Sequence, residues 1–172
     1  VHYTGQLTSH LKMTAALETK YSQGRHFKTV DDLLGANQWI DLDPFADRDI
    51  AELAQNIGLT QAQIENVRQN DTRNPDKVVK KGDVFGYNYD INMFTTSLYA
   101  QNEWKFNQVE FYYAAKGTFS TFHRVGRMDN GRAEYLRTIY ERAGAADYAQ
   151  LYTSYGKGRG HWFFDPSFKA GV

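Results

Sequence analysis

Carboxylates concentrated in one short stretch are the first candidates for chemistry in this sequence. The stretch contains Asp41, Asp43, Asp47 and Asp49, and several convergent carboxylate oxygens are what calcium requires. An EF-hand loop needs glycine at its sixth position, and no choice of first residue among these four places a glycine there. We therefore predict no metal site and expect a solvated acidic loop with carboxylates near a helix N-terminus. A calcium site is the alternative.

The histidines and the glycine-rich run do not form a catalytic pattern. Five histidines are scattered along the chain, and none belongs to an HExxH motif or to a pair spaced i, i+4. The run GKGRG at 156–160 precedes a predicted strand, whereas a P-loop lies between a strand and a helix. The absence of cysteine excludes disulfides and thiolate metal sites. We predict no catalytic residue, no cofactor and no enzymatic activity.

Aromatic side chains in the predicted outer loops are the remaining candidates for binding. They are Trp39, Tyr148, Tyr152 and Tyr155. Exposed rings can stack on a sugar or another ligand, so these four are our candidate ligand-loop residues. The interpretation we favour is that they fold the loops. Twenty basic and twenty acidic residues cancel, and without a basic block we expect no nucleic-acid partner.

The elements that must position these residues are organised around Ser97 to Phe122, where residue types alternate with a period of two. This period predicts two long strands with one apolar and one polar face, joined by a tight turn at Asn107-Gln108. The apolar face, which we predict to face lipid, comprises Leu98, Trp104, Phe106, Val109, Phe111, Tyr113 and Phe119. The polar face, taken together with the polar faces of the strands predicted at about 11–29 and 160–172, is predicted to face a lumen. Its residues are Lys12, Glu18, Glu103, Lys105, Glu110, Lys116 and Lys169.

Short and long connections alternate along the whole chain. Strands are predicted at about 1–8, 11–29, 91–106, 109–126 and 160–172, with outer loops at about 31–90 and 127–159. Short helices in these loops are predicted at about 48–56, from the N-cap Thr60 with its capping partner Gln63, and at 132–143. Pro166 is the main local objection to the last strand, because proline removes a ladder donor. A bulge or an end of pairing there would answer it.

This order predicts an all-β fold, an antiparallel up-and-down transmembrane β-barrel fragment of about five strands. Five strands cannot close, since the smallest membrane barrels have about eight, and an open edge is not viable in lipid. The chain starts without an initiator methionine or a signal sequence and stops in mid-pattern. We therefore expect an internal piece of a longer protein, and no stretch is apolar enough to predict a transmembrane helix.

Four runs of sequence resemble the barrel of TonB-dependent outer-membrane receptors. They are DLLGANQWIDLDPFADRD, KKGDVFGYNYDIN, SLYAQNEWKFNQVEFYYAAKGTFSTFHRVGRMDNGR and SYGKGRGHWFFDPSFKAGV. More narrowly, the chain is similar to the branch that carries a carboxypeptidase-regulatory-like domain ahead of its plug. The resemblance implies a barrel of about 22 strands with a plug in its lumen. The turns near Ser9-His10 and Asn107-Gln108 would then face the periplasm, and the long loops would face outside.

The resemblance also implies a function and a set of partners. The chain would be a segment of an active transporter in the bacterial outer membrane, forming barrel wall and nutrient-capturing loops. Its partners would be the rest of the barrel, the plug domain, outer-membrane lipid, a nutrient, and the TonB complex acting through the plug. The alternative is a soluble α+β binding module, with a meander sheet packed on the helices.

Overall fold

An antiparallel sheet dominates the computed structural model, which describes residues 1–48 and 60–172. The strands are β1 (His2–Gln6), β2 (Leu11–Thr29), β3 (Trp39–Ile40), β4 (Val78–Val79), β5 (Val84–Phe106), β6 (Val109–Arg127), β7 (Tyr155–Lys157) and β8 (His161–Gly171). The helices are α1 (Gln61–Val67), α2 (Gly131–Arg142) and α3 (Ala146–Ala149), followed by a 3-10 turn at Gln150–Tyr152. The prediction of an antiparallel all-β chain with a few short helices is confirmed. Apart from Arg48, the helix predicted at 48–56 lies outside the described residues.

The long strands follow one another across the sheet in chain order. Strand β1 pairs with β2, β2 with β5, and β5 with β6. The other edge of β6 pairs with β8 and, beyond it, with the short strand β7, both antiparallel. Strands β3 and β4 form a separate two-stranded sheet within the first long connection. The main sheet is therefore an up-and-down meander.

The two short turns lie together at one end of the sheet. Strand β5 turns into β6 through two residues, and Asn107 adopts φ 50, a left-handed conformation that asparagine tolerates. Between β1 and β2, the hydroxyl of Thr8 accepts hydrogen bonds from the amides of His10 and Leu11. The His10 ring stacks on Phe106 with centroids 5.1 Å apart. This contact puts the first turn beside the second.

Strand β8 pairs with β6 without interruption at its proline. The register runs from Tyr112 opposite Gly171 to Phe122 opposite His161, and Pro166 lies opposite Gly117. The bulge or end of pairing that we considered is therefore wrong. Within the described residues β8 pairs only with β6, so the proline lies on an edge strand, where its missing N–H is tolerated.

Strand β5 begins earlier than the sequence pattern indicated. We assigned 31–90 to an outer loop and began the strand at 91, but β5 starts at Val84. Glycine and asparagine are rare in strands, and this made the segment GYNYD look like a loop. The period of two nevertheless continues through it, with Phe85, Tyr87 and Tyr89 on one side. Short strands β3, β4 and β7 also lie in segments that we assigned to loops.

The described residues divide into two compact units. The strand unit comprises Val1–Ser22, Asn92–Phe122 and Gly160–Val172. The loop unit comprises the described residues of Gln23–Ile91 and His123–Arg159. Strands β2, β5 and β6 contribute residues to both units. No helix lies among the described residues of the strand unit.

The loop unit has a small apolar core of its own. Ala46 and Val67 are buried, and Ile64 and Tyr135 pack against them. Helices α1 and α2 approach closely at the buried Gly131. A side chain at this position would clash with the carbonyl of Asn66. The core therefore joins the two helices that the sequence predicted separately.

Local capping defines where these helices begin. The Thr60 hydroxyl accepts a hydrogen bond from the Gln63 amide, and the Gln63 side chain accepts from the Thr60 amide. This capping box confirms the predicted start of α1. The Asn130 side chain accepts from the Ala133 amide at 2.9 Å and caps α2 in the same way.

Candidate functional site

The polar side of the strand unit carries paired charges. The Lys12 amine lies 3.1 Å from Glu103, and the Lys105 amine lies 4.0 Å from Glu110. The Lys169 amine lies 5.5 Å from the ring centre of Tyr112. These pairs join β2 to β5, β5 to β6 and β6 to β8 along one side of the sheet.

A groove occupies the middle of the same polar side. Its volume is about 300 Å³, and its lining includes Glu18 and Lys116 together with Ser97 and Thr118. The two hydroxyls of Ser97 and Thr118 lie 3.0 Å apart. All seven residues predicted to face a lumen thus contact one another, a ring or this groove on one side of the sheet.

The opposite side of the strand unit carries stacked aromatic rings. Trp104, Phe106 and Phe111 form a cluster with centroids 6.0 to 6.4 Å apart. Phe119 stacks on Trp162 of the neighbouring strand at 6.4 Å. The Asn102 amide on this side is satisfied within it, since it donates a hydrogen bond to the Tyr113 hydroxyl at 3.0 Å.

This apolar side is not covered by another layer of the strand unit. Leu98 is 62% exposed, Val109 is 54% exposed, and Phe168 is 82% exposed. The buried side chains among the unit's described residues are those of Asn92, Ser97 and Ala114. A two-layer soluble domain buries its apolar sheet face, and this unit does not do so.

The acidic run is built into the loop unit, so the expectation of a solvated acidic loop is wrong for its first two members. Asp41 is only 2% exposed, and it accepts hydrogen bonds from the Asn70 amide at 2.7 Å and the Gly86 amide at 3.0 Å. Asp43 is also buried and lies 3.4 Å from the Arg132 guanidinium. The carboxylates therefore serve as acceptors that join distant segments.

The Asp43 carboxylate also accepts a hydrogen bond from the Phe45 amide. The other two members of the run differ from Asp41 and Asp43. Asp47 is exposed and pairs with Arg68 at 2.7 Å, and Asp49 lies outside the described residues. Across residues 1–48 and 60–172, no group of three or more metal-ligating side chains is close enough to hold an ion.

The four candidate loop aromatics do not form one surface. Tyr148 and Tyr152 both stack on Tyr140, with centroids 5.9 and 5.4 Å away. A hydrogen bond with Tyr140 raises the pKa of Tyr152. Trp39 instead packs edge-on against Phe85.

Tyr155 is the fourth of these aromatics, and it lies under a cation. The guanidinium of Arg73 is 3.9 Å from the centre of its ring. Each of the four predicted rings therefore has a partner from its own loop unit.

Two tyrosine rings in contact, with a cation at each end, lie on the strand ends within the loop unit. The Lys28 amine lies 5.0 Å from the ring centre of Tyr87, and the Arg124 guanidinium lies 4.4 Å from that of Tyr89. The two tyrosines are in contact, with centroids 5.7 Å apart, and His26 stacks on Tyr89. We call these five residues the tyrosine ladder.

Two grooves meet at Tyr87. One, of about 260 Å³, is lined by Arg124 and extends to Tyr152 and Ser154. The other, of about 230 Å³, is lined by Lys28 and extends to Trp39 and Phe45. Both are also lined by Asn70, Gly86 and Asn130.

The sequence contained a signal for the ladder that we did not use. Tyr87 and Tyr89 are two positions apart, as are His26 and Lys28, so each pair lies on one side of a strand. Because we began β5 too late, at residue 91, the two tyrosines fell in a predicted loop and the alternation was missed.

Comparisons with known proteins identify no relative of this chain. No protein-family model matches the chain, and neither does any curated protein or solved structure. Among the described residues, no helix has the length and apolar character needed to cross a membrane.

Proposed function

We propose that this chain forms part of the wall and outer loops of a transmembrane β-barrel, and that the barrel is a TonB-dependent transporter of the bacterial outer membrane. The aromatic side of the strand unit faces lipid, and the polar side faces the lumen and its plug. The long connections reach outside the membrane and capture a nutrient. The TonB complex, acting through the plug, supplies the energy for its uptake.

The observation that carries this proposal is the uncovered aromatic side of a sheet whose other side is polar. Large apolar side chains such as Leu98 and Phe168 are exposed on it. In water a continuous apolar surface of this kind is unfavourable, whereas in hydrocarbon it is the surface that a barrel wall requires. The paired charges between Lys12 and Glu103 and between Lys105 and Glu110 lie on the other side, as a water-filled lumen requires.

The height of the apolar band agrees with a bilayer. The band on β6 runs from Val109 to Phe119 on alternate residues. At about 3.4 Å per residue and a tilt of about 45°, this stretch rises roughly 24 Å along the membrane normal. The apolar band of an outer-membrane barrel is about 25 Å tall.

The connections and the sequence resemblance support the choice of transporter. Short turns lie together at one end of the sheet, and the connections between β2 and β5 and between β6 and β8 are long. Barrels of this class have short periplasmic turns and longer outer loops. The four sequence runs that resemble TonB-dependent receptors cover most of β5 and all of β6, β7 and β8, together with part of both loops.

Depth-dependent substitutions test the membrane assignment. Phe168 lies opposite Ala115, near the middle of the apolar band, and Phe111 lies near the turn at its end. In the protein that contains this chain, Phe168→Arg is expected to destabilise insertion into lipid vesicles by about 2–4 kcal/mol, and Phe111→Arg by about 1 kcal/mol or less. Insertion is measured by denaturant titration of the protein in vesicles.

Lys116→Gln is the matched control on the polar side, and it is expected to leave insertion unchanged. Equal losses for Phe168→Arg and Lys116→Gln would overturn the assignment of the two sides. A monomeric protein that is soluble without detergent and melts cooperatively would instead support the α+β binding module. The energy requirement is tested separately, since a protonophore is expected to abolish nutrient uptake by cells.

A further inference from the structure

The tyrosine ladder and its two grooves have no part in the proposed barrel wall. They belong to the loop unit, at the strand ends. Lys28 and Arg124 stand at the two ends of the ladder, with the rings of Tyr87 and Tyr89 between them. Cations at both ends of an aromatic surface are the arrangement that recognises a ring bearing negative charge.

Within the described residues, neither cation of the ladder, Lys28 or Arg124, is paired with a carboxylate, so both are available to an anionic ligand. The Arg124 guanidinium donates hydrogen bonds to the carbonyls of Thr153 and Ser154, which hold it in place without neutralising it. The Lys28 amine contacts the rings of Phe85 and Tyr87.

The carboxylates near the grooves are all engaged by other groups. Asp43 lines the Lys28 groove but lies 3.4 Å from the Arg132 guanidinium. Asp41 is buried beneath the shared lining and accepts from Asn70 and Gly86. Asp129 accepts a hydrogen bond from Ser154 at 2.8 Å. Neither Asp41 nor Asp129 lines either groove, so the charged lining residues that lack an opposite charge are, among the described residues, the cations Lys28 and Arg124.

We infer that the tyrosine ladder binds an acidic ring compound, with its ring on Tyr87 and its carboxylate or sulfate on Lys28 or Arg124. Tyr87 is 38% exposed, so its ring is accessible from the grooves that meet there. Together the two grooves fall within the roughly 300–1,000 Å³ of small-molecule sites. Asn70 and Asn130 line both grooves and supply amide groups for hydroxyls on the ring.

This inference deepens the proposed function, on which it rests for the idea that the ligand is cargo. The binding itself does not depend on a membrane. Two kinds of molecule carry the required chemistry, an acidic sugar and an aromatic acid. The test uses digalacturonate with neutral cellobiose as its control, and 2-naphthoate with neutral 2-naphthalenemethanol as its control.

Binding to the purified protein in detergent is measured by calorimetry at low and at moderate salt. At least one acid is expected to bind at least tenfold more tightly than its neutral control, and its affinity is expected to fall as salt rises. Lys28→Gln and Arg124→Gln are each expected to weaken that acid about tenfold, the effect of losing one charge-assisted contact. Tyr87→Leu is expected to weaken both the acid and its neutral control.

Lys81→Gln is the matched control, because it removes another exposed lysine that lines neither groove. It is expected to leave binding unchanged. Arg124 also supports a loop through its hydrogen bonds to Thr153 and Ser154, so Arg124→Gln could fail to fold. The Lys28 side chain makes no hydrogen bond within the described residues, so Lys28→Gln keeps the test interpretable in that case. Far-ultraviolet circular dichroism of each variant checks the fold.

The outcomes separate this inference from the proposed function. If both acids bind no better than their neutral controls, or if Lys28→Gln and Lys81→Gln bind equally well, the inference is wrong even when Phe168→Arg blocks insertion. If an acid binds through Lys28 but Phe168→Arg inserts normally, the binding site stands and the barrel proposal fails. Tighter binding of the sugar acid or of the aromatic acid identifies the source of the ring.

Discussion

The strand unit and the loop unit differ in the side chains that they bury. In the strand unit, the large apolar residues are on the surface and the charges pair on the other side of the same sheet. In the loop unit, apolar residues such as Val67 are buried, and so are carboxylates such as Asp41. This difference is the one we expect if, as proposed, the loop unit lies in water and the strand unit lies in lipid.

The largest effect on the contrast between the two units is expected when the buried carboxylate of Asp41 is removed. Asp41→Ala leaves the Asn70 amide and the Gly86 amide without an acceptor. Leaving buried donors unsatisfied is costly, so we expect the loop unit to lose about 3 kcal/mol of stability. The measurement is hydrogen exchange of the backbone amides in helices α1 and α2 of the intact protein.

Asp47→Ala is the control for this substitution. Its ion pair with Arg68 is exposed, so the expected loss is about 0.5 kcal/mol or less. Equal losses for the two aspartates would mean that the burial of Asp41 contributes nothing, and the contrast between the units would disappear.

A second test applies the same truncation to one valine in each unit. Val67 is 2% exposed and Val109 is 54% exposed. Val67→Ala removes two buried methyl groups and is expected to cost the loop unit about 2 kcal/mol, measured by hydrogen exchange in water or detergent. Val109→Ala is expected to have a smaller effect on the folded sheet, and one that appears only in lipid, as weaker insertion into vesicles. A similar loss at both positions in the absence of lipid would show that Val109 is buried in water too.

The smallest effect is expected at the cap of helix α1. Thr60→Ala removes the hydroxyl that accepts from the Gln63 amide, and should destabilise the helix by about 1 kcal/mol. Thr60→Ser retains the hydroxyl and should restore most of the protection of the α1 amides against exchange. If neither variant changes exchange in α1, the helix is held by its contact with α2 rather than by its cap.

Local patterns predicted the parts of this fold that depend on neighbouring residues. The alternation from Leu11 onward indicated β2, and the same alternation indicated the two sides of the hairpin around Asn107. The start of α1 was readable because a capping box needs only Thr60 and Gln63. In each case the signal and the structure lie within a few residues of each other.

The parts that were missed depend on partners far away in sequence. The burial of Asp41 requires Asn70 and Gly86, which are 29 and 45 positions away, so the acidic run looked solvated on its own. The tyrosine ladder joins strands β2, β5 and β6 in the same manner. A one-dimensional pattern can show that Tyr87 and Lys28 lie on a given side of their strands, but the register between strands decides that they meet.

The tight turn at Asn107 also has a consequence for how the sheet forms. Phe106 and Val109 are three positions apart, whereas the far ends of the same two strands, Val84 and Arg127, are 43 positions apart. Closing a short loop costs less chain entropy than closing a long one, and contacts between near neighbours form faster. The hairpin is therefore expected to zip from its turn outward, with the aromatic cluster of Trp104, Phe106 and Phe111 forming early and the tyrosine ladder assembling last.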